Sequence, residues 1–178
     1  MRSILLFIVI SAAAPADAAE VAASCQREGK TLTFVDGLAF ESVRTPEGRL
    51  TTALYLTTNP IDRGKLARCT ACNAGVLPDD IFGDNPREDA IEQQFKEGNG
   101  GWFLARYTGG DMDMTSVDGV YYYTPEAMSG IGAGNEEVAF EVNDGTRMRG
   151  TLSSRDPADY WGATCTGRFD VPVAWPKP

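Results

Sequence analysis

Histidine is absent from all 178 residues of this chain, and its absence excludes several classes of catalytic and metal site. Ser-His-Asp and Cys-His catalysis both need an imidazole that takes the proton of the nucleophile. Histidine-ligated zinc needs the same side chain, and so does c-type haem attachment, in which a histidine follows the second cysteine. The motif Cys69-Thr70-Ala71-Cys72 continues with Asn73, so it is no haem site.

Long apolar runs are also absent. The longest, Ile4–Ile10, is shorter than the roughly 20 residues that a membrane-spanning helix needs. Arg2 precedes this run, and small residues ending in Ala16-Asp17-Ala18 follow it, which is the order of a secretory signal peptide. The sequence therefore predicts a signal peptide over residues 1–18 and a single β-rich exported domain over residues 19–178. We expect that domain to be periplasmic or secreted.

Positive charge is scarce. The chain has 16 lysine and arginine residues against 25 aspartate and glutamate residues, and its formal net charge is −9. Binding to nucleic acid or to anionic lipid needs clustered basic residues. We therefore predict no nucleic-acid partner and no membrane contact after signal cleavage. The charge is compatible with a basic protein partner, although solubility alone would also explain it.

The four cysteines of the predicted mature chain are Cys25, Cys69, Cys72 and Cys165. An even number in an exported chain predicts two disulfides. Small residues before Cys25 would suit lipidation, but the apolar run lies too far upstream. Three pairings are possible. Two disulfides that each close a long loop restrict the unfolded chain more than one long loop and one short loop do. This favours separate long-range partners for Cys69 and Cys72. The alternative is a Cys25–Cys165 bridge with a tight Cys69–Cys72 loop.

The Cys69-x-x-Cys72 spacing also has a redox interpretation. Such chemistry is expected where a strand runs into a helix whose amino terminus stabilises the first thiolate. Residues 60–68 instead suggest a loop or a short helical turn, and Asn73-Ala74-Gly75 interrupts any helix. A thiol redox protein is therefore the least favoured of three functional hypotheses.

Most of the predicted mature chain has the period-two pattern of β-strands. Pro46-Glu47-Gly48 and Asn143-Asp144-Gly145 are turn signals between such segments. Residues 19–24 are expected to be loose. About eight strands are predicted, over residues 31–35, 38–44, 50–57, 101–107, 119–124, 138–142, 147–153 and 165–171.

One helix is predicted over residues 86–97. Asn85 is a suitable N-cap, Pro86 suits the first turn, and Glu88 stands at the capping-box position. Ile91 and Phe95 lie four residues apart and give the helix a narrow apolar face. Together with the strands, this predicts a mostly β fold, a single antiparallel β-sandwich or barrel-like domain that is disulfide-bonded and has one packed helix.

Aromatic residues concentrate on two of the predicted strands and give the candidate binding residues. Alternation places two tyrosines of the Tyr-Tyr-Tyr run on one face and one on the other. Exposed aromatic rings serve protein or glycan recognition, whereas buried ones fill the core of a β domain, and the sequence leaves both open. The candidates are Trp102, Tyr107, Tyr121, Tyr122 and Tyr123.

Acidic and glycine-rich segments give no cofactor or metal site. Asp111, Asp113 and Asp118 lie in a glycine-bounded segment, but it lacks the glycine and the glutamate of an EF-hand and is expected to be a solvated turn. Residues 130–134 contain three glycines, but they do not join a strand to a helix, so no nucleotide site is predicted. We predict no cofactor and no metal.

The leading functional hypothesis is an exported, non-enzymatic binding module of the inhibitor, immunity or adhesion type that recognises a basic protein or a glycan. It rests on the lack of histidine and of any nucleophile motif, and on the aromatic strands. The alternative is a carboxylate-dependent, calcium-assisted hydrolase. That mechanism depends on the separation of two carboxyl groups in space, which adjacency in sequence does not provide. A redox protein that uses Cys69 and Cys72 is the second alternative.

Overall fold

The computed structural model describes residues 18–27, 29–79, 84–98, 100–108, 115–123, 128–132, 136–156 and 163–176. At 27, 97, 98 and 108, and over 115–123 and 128–132, it describes the backbone alone. In these ranges the chain forms two five-stranded antiparallel sheets. The predicted β-sandwich-like fold is confirmed, with ten strands in the described ranges where about eight were expected.

The first sheet joins the two ends of the described chain. It consists of β1 (Glu20–Arg27), β2 (Lys30–Phe34), β8 (Glu136–Asn143), β9 (Arg147–Ser154) and β10 (Thr164–Pro172). The strand order is β2-β1-β10-β9-β8, so β1 and β10 pair directly.

The second sheet is a meander. It consists of β3 (Asp36–Arg44), β4 (Leu50–Thr57), β5 (Gly101–Thr108), β6 (Thr115–Tyr123) and β7 (Met128–Gly132). Its strands lie beside each other in chain order. β7 occupies part of the glycine-rich stretch for which no strand was predicted, since glycine has low β-propensity.

Residues 19–24, expected to be loose, were predicted wrongly. They begin β1, which pairs with β10 on one side and β2 on the other. The segment is mostly alanine, serine and glutamate, which carry little β-propensity, so the pairing with two neighbours decides its structure. Ala23 and Cys25 face the core and are buried.

The core between the sheets is built from inward-facing apolar residues of both. It includes Phe34, Leu54, Phe103, Leu152 and Phe169, each at most 1% exposed. Cores of this kind are close-packed, so burial of these rings and branched chains supplies much of the stability.

Two helices cover the other face of the second sheet. The predicted helix is confirmed as α2 (Pro86–Gly98), and the short α1 (Arg63–Ala67) precedes it. Ile91 and Phe95 are buried against that sheet, where the ring of Phe95 lies 6.3 Å from that of Trp102. No helix in the described ranges is long and apolar enough to cross a membrane.

The disulfide pairing differs from the favoured prediction. Cys25 and Cys165 are direct partners in the β1–β10 register, with their Cα atoms 4.0 Å apart, and they are bonded to each other. The second bond is Cys69–Cys72. Long-range pairing of Cys69 and Cys72 was therefore wrong, because strand register and not loop length places the sulfur atoms.

Candidate functional site

The structure places two of the candidate binding residues in the interior, which is one of the two arrangements that the sequence left open. Trp102 is 2% exposed and faces the helices, whereas Tyr107 packs edge-on against Phe140 between the sheets. Their alternation along β5 sends them to opposite faces of a sheet that is covered on both sides. Neither ring therefore contributes to an exposed aromatic surface.

The tyrosine run lies in β6, where Tyr121 pairs with Trp102 and Tyr122 with Gly101 along the backbone. The described ranges include the backbone of Tyr123 as well, but no side chain of the three. Among the side chains that are described, the exposed large apolar ones are Val35 and Val76, and neither is aromatic.

The acidic segment predicted to be a solvated turn lies mostly outside the described residues, which omit 109–114. Asp118 belongs to the backbone of β6. Among the described residues there is no group of three or more acidic or cysteine side chains that could hold a metal ion.

A buried polar network lies between α2 and the second sheet, with Glu88 at its centre. Arg106 forms an ion pair with Glu88, its Nε lying 3.3 Å from Oε1, and Ser42 donates its hydroxyl to the same oxygen. Asn85 Nδ2 lies 3.2 Å from Oε1 and 2.9 Å from Ser42 Oγ. Glu88 is 5% exposed and Ser42 is fully buried.

The same network corrects the predicted capping box. Asn85 caps α2, since its Oδ1 accepts the amide N–H groups of Arg87 and Glu88. The carboxylate of Glu88, however, accepts side-chain donors from the sheet, including Arg106. The sequence shows Glu88 at the third helical position, but only the packed sheet brings Arg106 to it.

Glu92 extends the network by one helical turn. The Tyr55 hydroxyl lies 3.1 Å from Glu92 Oε1 and 3.5 Å from Glu88 Oε2. Burial, followed by the charges of the two glutamates, raises the pKa of Tyr55 well above its usual range, so the phenol stays protonated. The network residues Tyr55, Glu88 and Glu92 line neither of two cavities in the described part of the chain, one beside α1 and one over the first sheet.

A cavity of about 540 Å³ lies on the same face of the second sheet, between α1 and the last described residues, 172–176. We call it the α1 groove. Small residues at three lining positions leave its space open, and Trp175 forms an aromatic wall. It is lined by Leu38, Arg63, Gly64, Ala67, Pro172, Ala174, Trp175 and Pro176.

The last described residues are held against the sheets, which fixes the second wall of the α1 groove. Val173 forms a parallel bridge with Ala39, and its amide N–H donates to the carbonyl of Thr146 at 2.8 Å. The Trp175 ring packs edge-on against Phe40, with centroids 5.1 Å apart. The groove is therefore bounded by anchored backbone on both sides.

Arg87 contacts the ring of Trp175. Its guanidinium lies 5.5 Å from the centroid of the Trp175 ring, in a cation–π contact. The same side chain donates to the carbonyls of Cys72 at 3.1 Å and of Glu41 at 2.7 Å. One residue of α2 thus links the Cys69–Cys72 turn to the wall of the groove.

Arg63, at the mouth of the groove, is oriented by Asp36. The two guanidinium Nη atoms lie 2.7 and 2.8 Å from the two carboxylate oxygens, a bidentate pair. Asp36 also accepts the amide N–H groups of Ile61 at 2.8 Å and of Gly37 at 2.7 Å. This carboxylate therefore joins β3, the loop before α1 and α1 itself.

A second depression, of about 900 Å³, lies over β1, β8, β9 and β10. Its lining includes Arg149 and Asp170, which form an ion pair at 3.0 Å, and Arg147 pairs with the same aspartate. Ligand sites are mostly apolar with a few placed polar groups. The α1 groove fits that description better, since charged side chains of both signs, including Glu141 and Arg168, line the second depression.

Acid is expected to act on this protein through two carboxyl groups in opposite directions. Burial raises the pKa of Asp36, but hydrogen bonds from Arg63 and Ile61 outweigh it and lower the pKa overall. The stabilisation that Asp36 contributes is therefore present above the pKa of this group in the unfolded chain, and it is lost as the pH falls through its pKa in the folded protein. Burial raises the pKa of Glu92 against the influence of Lys96, so this group adds stability as pH falls through its folded value.

The measurement is the free energy of unfolding of three proteins between pH 7 and about pH 3. Asp36→Asn is expected to lose less stability on acidification than the parent protein, and Glu92→Gln is expected to lose more. Equal losses in all three proteins would contradict the assignment of these two groups.

Trp175, Arg63 and Pro172 were not among the residues predicted to bind. The signal available in the sequence was a tryptophan next to a proline near the end of the chain, and a run of cations at 63, 65 and 68. Neither feature indicates a groove before α1 and the C-terminal segment are placed side by side.

The chain matches no protein family, no curated protein and no solved structure.

Proposed function

We propose that this protein is an exported, non-enzymatic binding module whose α1 groove holds an extended polypeptide segment of a partner protein. The observation that carries the proposal is the groove itself, a cavity of about 540 Å³ with an aromatic wall and one arginine at its mouth. Pro172 and Pro176 flank this wall and stiffen it, so little ordering is needed when a segment binds.

The charges beside the groove favour a segment that carries a carboxylate. Three cations stand on or beside α1, Arg63, Lys65 and Arg68, against the two carboxylates of Asp36 and Asp62, a surplus of one. Arg68 is exposed and lies beside the groove residue Gly64. Its Nη1 is 3.4 Å from the position that a Cβ would take at Gly64. We therefore infer that the bound segment places an apolar side chain against Trp175 and an acidic one near Arg68.

The charge of the whole chain acts at longer range. A net charge of −9 speeds the encounter with a protein that is basic overall, whatever the sign of the contacting segment. A glycan partner is less favoured, because the described side chains present no exposed ring on which a sugar would stack.

Two features support export. The two disulfides suit an oxidising compartment. The first strand begins at Glu20, two residues after the expected cleavage at Ala18, so cleavage there would leave β1 complete.

The test is selection of a phage library of short random peptides on the immobilised protein. We expect enriched peptides that pair an apolar residue with an acidic one. Ala174→Trp fills the groove from an exposed position. It is expected to lower the affinity for these peptides at least about tenfold, about 1.4 kcal/mol. Arg68→Glu is expected to lower the affinity for those peptides that carry an acidic residue.

The matched control is Ala22→Trp, another exposed alanine, which lines the second depression. It is expected to leave peptide binding unchanged, and far-ultraviolet circular dichroism checks that each variant is folded. Failure to enrich any peptide, or peptides that bind Ala174→Trp as well as the parent protein, would refute the proposal. So would peptides that lose affinity only for Ala22→Trp.

A further inference from the structure

The Cys69–Cys72 disulfide differs from Cys25–Cys165 in how much chain it closes. It joins residues three apart, whereas Cys25–Cys165 joins residues 140 apart. The stabilisation from a disulfide grows with the size of the loop that it closes, so the short one restrains the unfolded chain least. Its place in the fold therefore calls for a role other than that of a staple.

The turn that carries these sulfurs is held by bonds that do not depend on the disulfide. The amide N–H of Asn73 donates to the carbonyl of Cys69 at 3.1 Å, and the Asn73 side-chain Nδ2 donates to the carbonyl of Ala67 at 2.8 Å. Arg87 Nε donates to the carbonyl of Cys72 at 3.1 Å. Two thiols produced by reduction would remain close together, ready to be oxidised again.

The two sulfur atoms have different surroundings. Cys72 is 3% exposed, and its Sγ lies 3.2 Å from the carbonyl oxygen of Pro86, so the reduced thiol would donate a hydrogen bond to that oxygen. Cys69 is half-buried, and its Sγ accepts the amide N–H of Cys72 at 3.2 Å. That donor stabilises negative charge on the sulfur of Cys69.

We propose that Cys69–Cys72 is a reversible disulfide that exchanges with an external dithiol, with Cys69 as the sulfur that is attacked. This activity is independent of the α1 groove. The greater exposure of Cys69, on a turn that keeps its shape without the bond, carries the assignment, because thiol exchange needs access to the sulfur that is attacked. Cys69 follows the carboxyl end of α1, so the turn and not a helix amino terminus provides the environment.

A thiolate of the dithiol attacks Cys69 Sγ, the bond to Cys72 breaks, and Cys72 leaves as a thiolate that takes up a proton from water. The second thiolate of the dithiol then attacks the mixed disulfide and releases Cys69. The protein gains two electrons and two protons, and the dithiol loses both and becomes a disulfide.

The test uses folded, oxidised protein in dithiothreitol buffers, with maleimide alkylation and peptide mass spectrometry. We expect the Cys69–Cys72 bond to be reduced, and Cys69 then to be alkylated, at least about 100-fold faster than Cys25 and Cys165, which are buried in the sandwich core and serve as the internal control. Reoxidation by oxidised dithiothreitol should restore the Cys69–Cys72 bond.

Single variants test which of the two sulfurs forms the mixed disulfide, the intermediate through which exchange passes in both directions. With oxidised glutathione, Cys72→Ala is expected to form the mixed disulfide at Cys69 at least about tenfold faster than Cys69→Ala forms it at Cys72. Equal rates would overturn the assignment of Cys69. Reduction of Cys69–Cys72 only as the protein unfolds, together with Cys25–Cys165, would overturn the exchange itself. Both results leave the groove proposal untouched, since it is measured by peptide binding.

Discussion

Replacing Cys25 and Cys165 together by alanine is expected to lower the free energy of unfolding by about 4–5 kcal/mol. The bond closes a loop of 140 residues between two strands that are paired over their length. Without it, the unfolded chain regains the entropy of that loop, and the core loses two packed sulfur atoms. Domains of this size are stable by only about 5–15 kcal/mol, so the variant should be marginal at 37 °C.

Urea unfolding followed by tryptophan fluorescence measures this loss. The matched control is Cys69→Ala with Cys72→Ala, which removes a bond between residues three apart and is expected to cost about 2 kcal/mol or less. Similar losses in the two double variants would show that the long bond is no more important to the fold than the short one.

Glu88→Ala is expected to lower the free energy of unfolding by about 3–5 kcal/mol. The substitution leaves the guanidinium of Arg106 buried without its carboxylate, and Ser42 and Asn85 lose a shared acceptor. Removing one partner of a buried ion pair costs more than the pair contributes, because the remaining charge is not solvated. Urea unfolding again gives the value.

Two further variants separate this mechanism from a general weakening of α2. Lys96→Ala removes the more exposed pair with Glu92 on the same helix and is expected to cost about 0.5 kcal/mol or less. Replacing both members, Glu88→Leu with Arg106→Met, is expected to recover most of the loss, because no buried charge remains. A double variant as unstable as Glu88→Ala would contradict this explanation.

The network and the groove lie on the same face of the second sheet but have different chemistry. The network directs its polar groups at each other, with Tyr55 and Glu88 buried, and so it fixes how α2 sits on the sheet. The groove keeps open space between α1 and the C-terminal segment. Arg87 connects the two regions through Trp175 and the Cys69–Cys72 turn.

The candidate site was hard to predict because its residues are far apart in sequence. Arg63 and Trp175 are brought together by α1 and by the backbone bridge of Val173 to Ala39, and no local pattern encodes that contact. The aromatic strands gave a stronger local signal, yet Trp102 and Tyr107 are buried. Period-two patterning locates a face but does not reveal whether helices will cover it.

By itself, the sequence determined the local elements of this protein. α2 was predictable from Asn85, Pro86 and the spacing of Ile91 and Phe95, because caps and helical periodicity act within a few residues. The same holds for the strands and their turns, and for the absence of histidine chemistry, which needs no fold at all.

Only the tertiary structure decided which distant residues meet. It placed residues 20–24 in an interior strand, paired Cys25 with Cys165, and gave Glu88 an ion-pair partner from the sheet in place of a capping role. Such contacts follow from strand register and from the burial of a second face. Both depend on the whole chain being packed at once, which short-range propensity does not contain.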